Sequence, residues 1–502
     1  MAKFSIDKDL KKVVTLEEVT AQHARQLLPA TLAFLFLVLV GLAALTIAGM
    51  ASGWPIIVAA SVIGGYMALN IGANDVANNM APAVGSRALP IGVAVLIAAF
   101  FEAAGALIAG GEVVATVSGG IIQAEMLPSP GHFVVAMLAA LFAAAVWLNL
   151  ATAIGAPVST THSIVGGVLG GGIAMAGFAV ADWGVVARIV ASWVISPVMG
   201  GVIAAAFLAY IKFTILYVPD KLNQAERRVP MLVAVMAGAF ATYLVMKGLS
   251  RVWDAPLWMA LAIGLAVLLV TRALVKPMIR KAVANGLSNT RGGVAELFTI
   301  PVIVGAALLS FAHGSNDVAN AIGPLAAIYT TINEGEMVAQ AEIPLWILLV
   351  GALGISAGLL LYGPKLIRTV GSKITKLNRV RAFCVTLSAA ITVIIASTFG
   401  IPVSSTHIAI GALFGVGFLR EFIVNRENLK ELPLKPEPTI DPETGEIHKP
   451  KKYRKAQRRY LVRRSHVFTI VGAWLITVPA TAVMAGLLSL LLAALGLTAV
   501  AA

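Results

Sequence analysis

Two seven-residue stretches repeat one pattern: Gly72-Ala73-Asn74-Asp75-Val76-Ala77-Asn78 and Gly314-Ser315-Asn316-Asp317-Val318-Ala319-Asn320. Each sets one carboxylate and two carboxamides at the end of a long apolar segment. Asp75 and Asp317 offer hard anionic oxygens, and Asn74, Asn78, Asn316 and Asn320 add neutral ones. With no clustered His or Cys, such an oxygen-only set suits Na⁺ or a proton better than zinc or copper. The flanking glycines and Pro82 or Pro324 are expected to break the helix and free carbonyls for a cation. An ionisable group in hydrocarbon persists when it lines a cavity, binds an ion or finds a partner. One such element alone could be a cap or a helix-packing contact, but two copies point to a cation site.

A second pair of stretches carries the opposite chemistry. Ala156-Pro157-Val158-Ser159-Thr160-Thr161-His162 matches Ile401-Pro402-Val403-Ser404-Ser405-Thr406-His407. Proline followed by hydroxyl residues is an ordinary way to start a helix. Inside a membrane the same start presents unpaired N–H groups and a partial positive charge, so it can hold an anion without Lys or Arg. A tetrahedral oxyanion fits that inventory of donors. Empty carboxylates would repel it, so substrate binding should require bound cations, which couples the two fluxes. His162 and His407 are candidate proton relays, or neutral rings fixed at a helix start. Glu102, near the middle of the apolar run 91–110, is a candidate for a cation or proton role, and Asn149 has a similar standing. Arg87, just past the first motif, reads as a topology anchor.

The elements that must position these groups follow from composition. The chain has 502 residues, of which 59% are hydrophobic and 12% charged, with a mean hydropathy of +0.90. That excludes an ordinary water-soluble domain and implies a polytopic all-α membrane protein with about thirteen transmembrane segments, each needing about 20 residues. The net charge of +13 sits in loops without a groove or interleaved aromatics, which argues for positive-inside topology and against nucleic acid. Cys384, alone, reads as a small buried hydrophobe. The first 28 residues lack the apolar core of a signal peptide and read as a cytoplasmic lead-in.

Loop charge gives orientation. Residues 3–25, 212–228, 276–291, 365–381 and 420–464 are rich in Lys and Arg and are expected in the cytoplasm, whereas 112–125 and 334–342 contain neither and are expected outside. Helices at 32–50, 54–72, 91–110, 133–153, 164–180 and 185–209 then cross alternately out and in. Two connecting helices, 229–247 and 256–274, return the chain to the cytoplasm, and 294–311, 344–362, 382–399, 408–419 and 466–496 follow. Every matched helix in the second half runs opposite to its partner, which is an inverted-topology repeat. Thr116-Val117-Ser118-Gly119-Gly120-Ile121 against Thr369-Val370-Gly371-Ser372-Lys373-Ile374, and a weaker match of Trp193 with Trp474, support the pairing. Inverted repeats with broken or re-entrant helices are the architecture of secondary transporters with midplane sites. The expected units are 1–53, an N-terminal segment with an extra helix; 54–210, the first repeat; 211–293, a linker; and 294–419 with 465–502, the second repeat. A polar insertion at 420–464 interrupts the second repeat, with a turn at Asp441-Pro442-Glu443-Thr444-Gly445.

Together, the two Gly-x-Asn-Asp-x-x-Asn elements, the two Pro-Val-Ser-(Thr/Ser)-Thr-His elements and Phe101-Glu102 leading into Gly105 resemble the inorganic phosphate transporter (PiT) family of cation-coupled phosphate symporters. The likeness covers about residues 54–210 and 294–496. It implies inorganic phosphate as substrate, Na⁺ or H⁺ as coupling ion with no cofactor, and a homodimer in the lipid bilayer of a bacterial-type inner membrane, with the N-terminus cytoplasmic. By position, Asn74, Asp75, Asn78, Asn316, Asp317 and Asn320 resemble the cation and phosphate set, with Na⁺ at Asp75 and Asp317. Ser159, Thr160, Thr161, Ser404, Ser405 and Thr406 resemble the phosphate-facing hairpin residues. Glu102 matches a family acidic position, although the region 351–354 in the other half has no acid. A sulfate permease on the same scaffold, or a phosphate-responsive channel or sensor, is the alternative. An enzyme is not expected, since there is no nucleophile and base pair, P-loop or metal triad.

Overall fold

The computed structural model describes residues 27–49, 53–154, 158–248, 255–335, 343–373, 377–430, 439–440, 447–448, 462 and 464–500. The 1–26 lead-in, residues 155–157 with Ala156 and Pro157, and most of the 420–464 insertion lie outside them. Among the described residues the regular elements are helices apart from an isolated bridge between Ile122 and Ala181 and one two-residue ladder, in which Thr439 pairs with His448 and Ile440 with Ile447. That ladder flanks the expected turn, whose own residues are not described.

Among the described residues twelve helices are long and apolar enough to cross a membrane. The first is α1 (Leu27–Ala48). A broken helix follows, α2 (Trp54–Asn74) and α3 (Val76–Gly85), then α4 (Ile91–Ala109) and the short α5 (Gly111–Ala115) running into a π turn at Thr116–Gly120. Next come α6 (Pro130–Ile154), α7 (Thr160–Ala176) and α8 (Trp183–Ile211). The linker supplies α9 (Lys221–Tyr243), α10 (Leu257–Ala284) and α11 (Arg291–Leu297). A second broken helix, α12 (Thr299–Asp317) and α13 (Ala319–Glu334), leads to α14 (Leu345–Lys373), α15 (Arg379–Thr398), α16 (Ser405–Lys430) and α17 (Arg464–Ala494).

Two expectations are corrected. The thirteenth segment, expected to cross at 164–180, is α7, whose 17 residues fall short of the roughly 20 needed for ~30 Å of hydrocarbon. Instead α6–α7 and α15–α16 form two helical hairpins whose tips touch, Thr161 Oγ1 donating to the Val403 carbonyl at 3.0 Å. The acidic motifs interrupt their helices for one residue only. A second helix follows at once and runs on to Gly85 or Glu334, because polar groups from the hairpin tips satisfy the motif side chains inside the protein. Pro82 and Pro324 lie within α3 and α13, and the interruptions fall earlier, at Asp75 and Val318. Lacking an N–H, each proline leaves unpaired in the helix ladder the carbonyl four residues before it, Asn78 or Asn320.

Packing places the motifs at the centre. The broken helix α12–α13 is 89% buried over its most apolar stretch, whereas α1 and α10 are each 11% buried there and present Leu, Val and Phe outward. The halves interlock by exchange: α2 packs on α14 as α12 packs on α4, and α7 on α17 as α16 on α8. At the first pair of crossings the contact is backbone to backbone. A Cβ on Gly72 would lie 1.9 Å from the Ile355 carbonyl and one on Gly358 1.9 Å from that of Leu69. The counterparts are Gly314 against the Glu102 carbonyl at 2.2 Å and Gly105 against that of Phe311 at 2.0 Å. These crossings make Ile355 the positional equivalent of Glu102.

Candidate functional site: a buried carboxylate pair among hydroxyls

Both helix interruptions and both hairpin tips converge. Asp75 is 1% exposed and Asp317 is fully buried, and ligand atoms of Asp75, His313 and Asp317 all lie within 4.8 Å of one another. Thr160 Oγ1 is 2.8 Å from Asp75 Oδ2 and 3.3 Å from Asp317 Oδ2, and so stands between the carboxylates. Ser405 Oγ donates to Asp317 Oδ2 at 3.1 Å, and Thr406 Oγ1 to Asp75 Oδ1 at 3.0 Å. The first-half broken helix is thus held by both hairpins, and so is the second.

The carboxamides extend the network by the same exchange of halves. Asn78 Nδ2 donates to Thr406 Oγ1 at 2.9 Å, as Asn320 Nδ2 does to Thr161 Oγ1 at 3.2 Å. Asn320 Nδ2 also reaches Thr160 Oγ1 at 3.2 Å. Asn74 Nδ2 donates to Thr152 Oγ1 at 2.9 Å, and the Asn316 amide meets Ser397 Oγ at 3.1 Å. With its amide turned over, Asn316 donates to the Val403 carbonyl and to Asp317 Oδ1, both at 3.1 Å, and accepts from Ser397. Asn78 Oδ1 and Asn320 Oδ1 are buried acceptors without a partner. An orphaned buried oxygen costs free energy unless a ligand completes it. These two, with two carboxylates and the unpaired carbonyls of Asn78 and Asn320, are the donor set of a hard cation.

Not every expected residue faces this cluster. Ser159 Oγ accepts from the His162 N–H and Ser404 Oγ from the His407 N–H, each at 3.2 Å, so both serines cap their helices. His162 and His407 point away from the carboxylates. Their rings pack against each other at 4.4 Å between centroids, with Trp193 3.7 Å from His162 and Trp474 3.5 Å from His407. Among the described residues no hydrogen bond joins either imidazole to an acid. Asn149 Nδ2 donates to Asn70 Oδ1 at 3.3 Å, one layer removed from the cluster.

Glu102 is fully buried, and its company includes a residue that sequence reading missed. His313 Nδ1 lies 2.6 Å from Glu102 Oε2, while its Nε2 lies 3.0 Å from Asp317 Oδ2. One imidazole therefore bridges the two acids. Asn79 Nδ2 donates to Glu102 Oε1 at 3.0 Å. The only signal in the sequence was the spacing of His313 four residues before Asp317, one helical turn on the same face. The first half has Ile71 at the position of His313, Ala321 stands in the second half at that of Asn79, and Ile355 stands at that of Glu102. The bridge is confined to one side of a symmetric frame.

Comparisons with known proteins give the family. The profile of the phosphate transporter family matches residues 71–485. The chain is 45% identical to a "Putative phosphate permease" of Helicobacter pylori strain J99, covering 96% of this chain and 98% of that protein. It is 39% identical to one of Pyrococcus abyssi, covering 72% and 88%. A solved structure described as "The sodium-dependent phosphate transporter" superimposes with a TM-score of 0.76 at 34% identity, over 88% of this chain and 99% of that one. The family consists of transporters, in keeping with the absence of an enzyme motif from the sequence. A multi-span helical frame closing on paired carboxylates and hydroxyls, and a family match over most of its length, make this chain a member of the phosphate transporter family.

Proposed function

We propose that the chain imports inorganic phosphate across the inner membrane by symport with Na⁺, through a midplane site shared by two inverted halves that opens alternately to either side. The observation carrying this reading is the set of hydroxyls of Thr160, Ser405 and Thr406, all engaged by the carboxylates of Asp75 and Asp317. A hydroxyl has one proton to give. While it donates to a carboxylate it cannot donate to phosphate. A cation on the carboxylates competes for their lone pairs, releases the hydroxyls and cancels the repulsion that phosphate would meet. Cation first, phosphate second is the order this geometry favours.

Two observations favour Na⁺ over H⁺. A proton on a carboxylate needs no further oxygens, whereas the orphaned Asn78 and Asn320 oxygens supply neutral ligands that a metal cation requires. The similar solved structure is also described as sodium-dependent. Phosphate is favoured over sulfate because monohydrogen phosphate carries a proton that a carboxylate can accept, and sulfate does not.

Purified protein in proteoliposomes tests the reading. Labelled phosphate should accumulate under an imposed Na⁺ gradient, collapse when that gradient is removed, and resist excess sulfate. Uptake driven by a pH gradient alone would replace Na⁺ by H⁺, and equilibration without accumulation would make the protein a channel.

A further inference from the structure

A separate cavity of about 350 Å³ is walled by the π turn after α5, by α8 and by the tip of the second hairpin; its lining includes Thr116, Gly119, Gly120, Arg188, Gly400 and Pro402. It is distinct from the carboxylate cluster but shares a wall with it. Pro402 and Ile401 line the cavity, and the same loop continues through Val403, whose carbonyl holds Thr161, to Ser405 on Asp317. Thr116 Oγ1 pins this loop by donating to the Gly400 carbonyl at 2.9 Å.

Arg188 is the cationic side chain of this cavity. It is exposed, and no ion pair or hydrogen bond engages its guanidinium among the described residues. The nearest acid on its own helix, Asp182, is occupied as the cap of α8, accepting from the Val185 N–H at 2.9 Å. The expected outer segments 112–125 and 334–342 contain no Lys or Arg, and Arg188 is the one charged residue among those lining this cavity. The symmetric frame sharpens the point. Trp193 and Trp474 occupy equivalent places beside His162 and His407, and the residue as far before Trp474 as Arg188 is before Trp193 is Thr469. The guanidinium belongs to one mouth of the site and not to the other.

We propose that this cavity is an outer capture subsite in which Arg188 holds a phosphate dianion before the hairpin loop 399–403 admits it to the carboxylate cluster. The inference rests on the phosphate-import reading and its orientation. A cation beside a recess raises the local anion concentration and the on-rate through its charge, in a salt-dependent way, so any cation of similar reach should serve. An importer gains from such a charge where phosphate is scarce. At the inner mouth the same charge would slow release.

Charge restoration tests it. In Arg188→Cys, phosphate KM in proteoliposomes should rise at least threefold at low ionic strength while the maximal rate stays within about twofold. Modification from outside with a trimethylammonium-bearing thiosulfonate should return KM towards the parent value, a sulfonate-bearing one should not, and phosphate should slow both reactions. Native Cys384 is fully buried and serves as the silent background. Arg188→Lys should behave as the parent. An unchanged KM in Arg188→Cys, equal effects of the two reagents, or modification only from inside would overturn the proposal while parental uptake remains intact. Failure of the parent to transport phosphate would instead remove the reading beneath it.

Discussion

Replacing Asp317 by Asn separates the two roles assigned to this carboxylate. Asparagine has nearly the same shape, and its Oδ1 can still accept from Ser405, which donates to Asp317 at 3.1 Å. With oxygens within 4.8 Å of each other, two charged carboxylates repel by about 3.5 kcal/mol at an effective dielectric of about 20. The substitution removes that repulsion but weakens the charge-assisted bond from Ser405 and the ionic contact with His313, each worth about 1.5 kcal/mol. These opposed effects nearly cancel, so the melting temperature should shift by only a few degrees. Cation binding has no such compensation. The carboxylate repulsion is present with and without the cation and drops out of the difference. A monovalent cation about 4 Å from a carboxylate gains about 4 kcal/mol at the same dielectric, so losing one of the two should weaken binding about 10³-fold. The assay is phosphate uptake in proteoliposomes as a function of Na⁺, beside thermal melting in detergent. A well-folded Asp317→Asn protein whose half-saturating Na⁺ lies within tenfold of the parent would refute the placement of the cation.

Three further substitutions probe separate links. Thr160→Val removes the hydroxyl shared by both carboxylates and should raise phosphate KM about tenfold, the value of one hydrogen bond to a charged group, as read by uptake kinetics. Ser159→Ala and Ser404→Ala should each lower stability by about 1 kcal/mol, as lost caps do, and leave KM nearly unchanged; a tenfold rise in KM would make these serines ligands. Gly72→Ala and Gly314→Ala place a Cβ 1.9 Å from the Ile355 carbonyl and 2.2 Å from that of Glu102, and should destabilise by more than about 2 kcal/mol, visible as a fall in melting temperature or folded yield.

The two duplications were enough to find most of the cluster, because a carboxylate in an apolar run and hydroxyls after a proline each break a strong background. Asp75 and Thr406, 331 positions apart, were assigned to one site on that ground. His313 and Asn79 escaped for the converse reason. Their equivalents in the other half are Ile71 and Ala321, so a comparison of the halves discards them as noise. The short helices that follow the motifs were not foreseen, since apolar runs stop at the first polar residue, whereas helix resumes beyond the one-residue breaks at Asp75 and Val318 wherever the interior supplies partners. Ser159 and Ser404 stood in the same triplets as the threonines, and only the direction of their hydroxyls distinguishes a cap from a ligand. The rings of His162 and His407 could not be oriented from sequence, because their aromatic neighbours Trp193 and Trp474 lie on other helices.

The glycine crossings bear on the mechanics of the cycle. Where α2 meets α14 and α12 meets α4, backbones touch with no side chain between them, and such contacts have no slack to slide or hinge. Each pair joins a helix of one half to a helix of the other. Parting the two halves as rigid bodies would break both crossings at once. The four crossed helices form a frame that carries both carboxylates, and the hairpins pack on it through α6 against α2 and α13 and through α15 against α12, as well as through side-chain hydrogen bonds. The unit that the sequence duplicates is therefore not a unit that packs by itself.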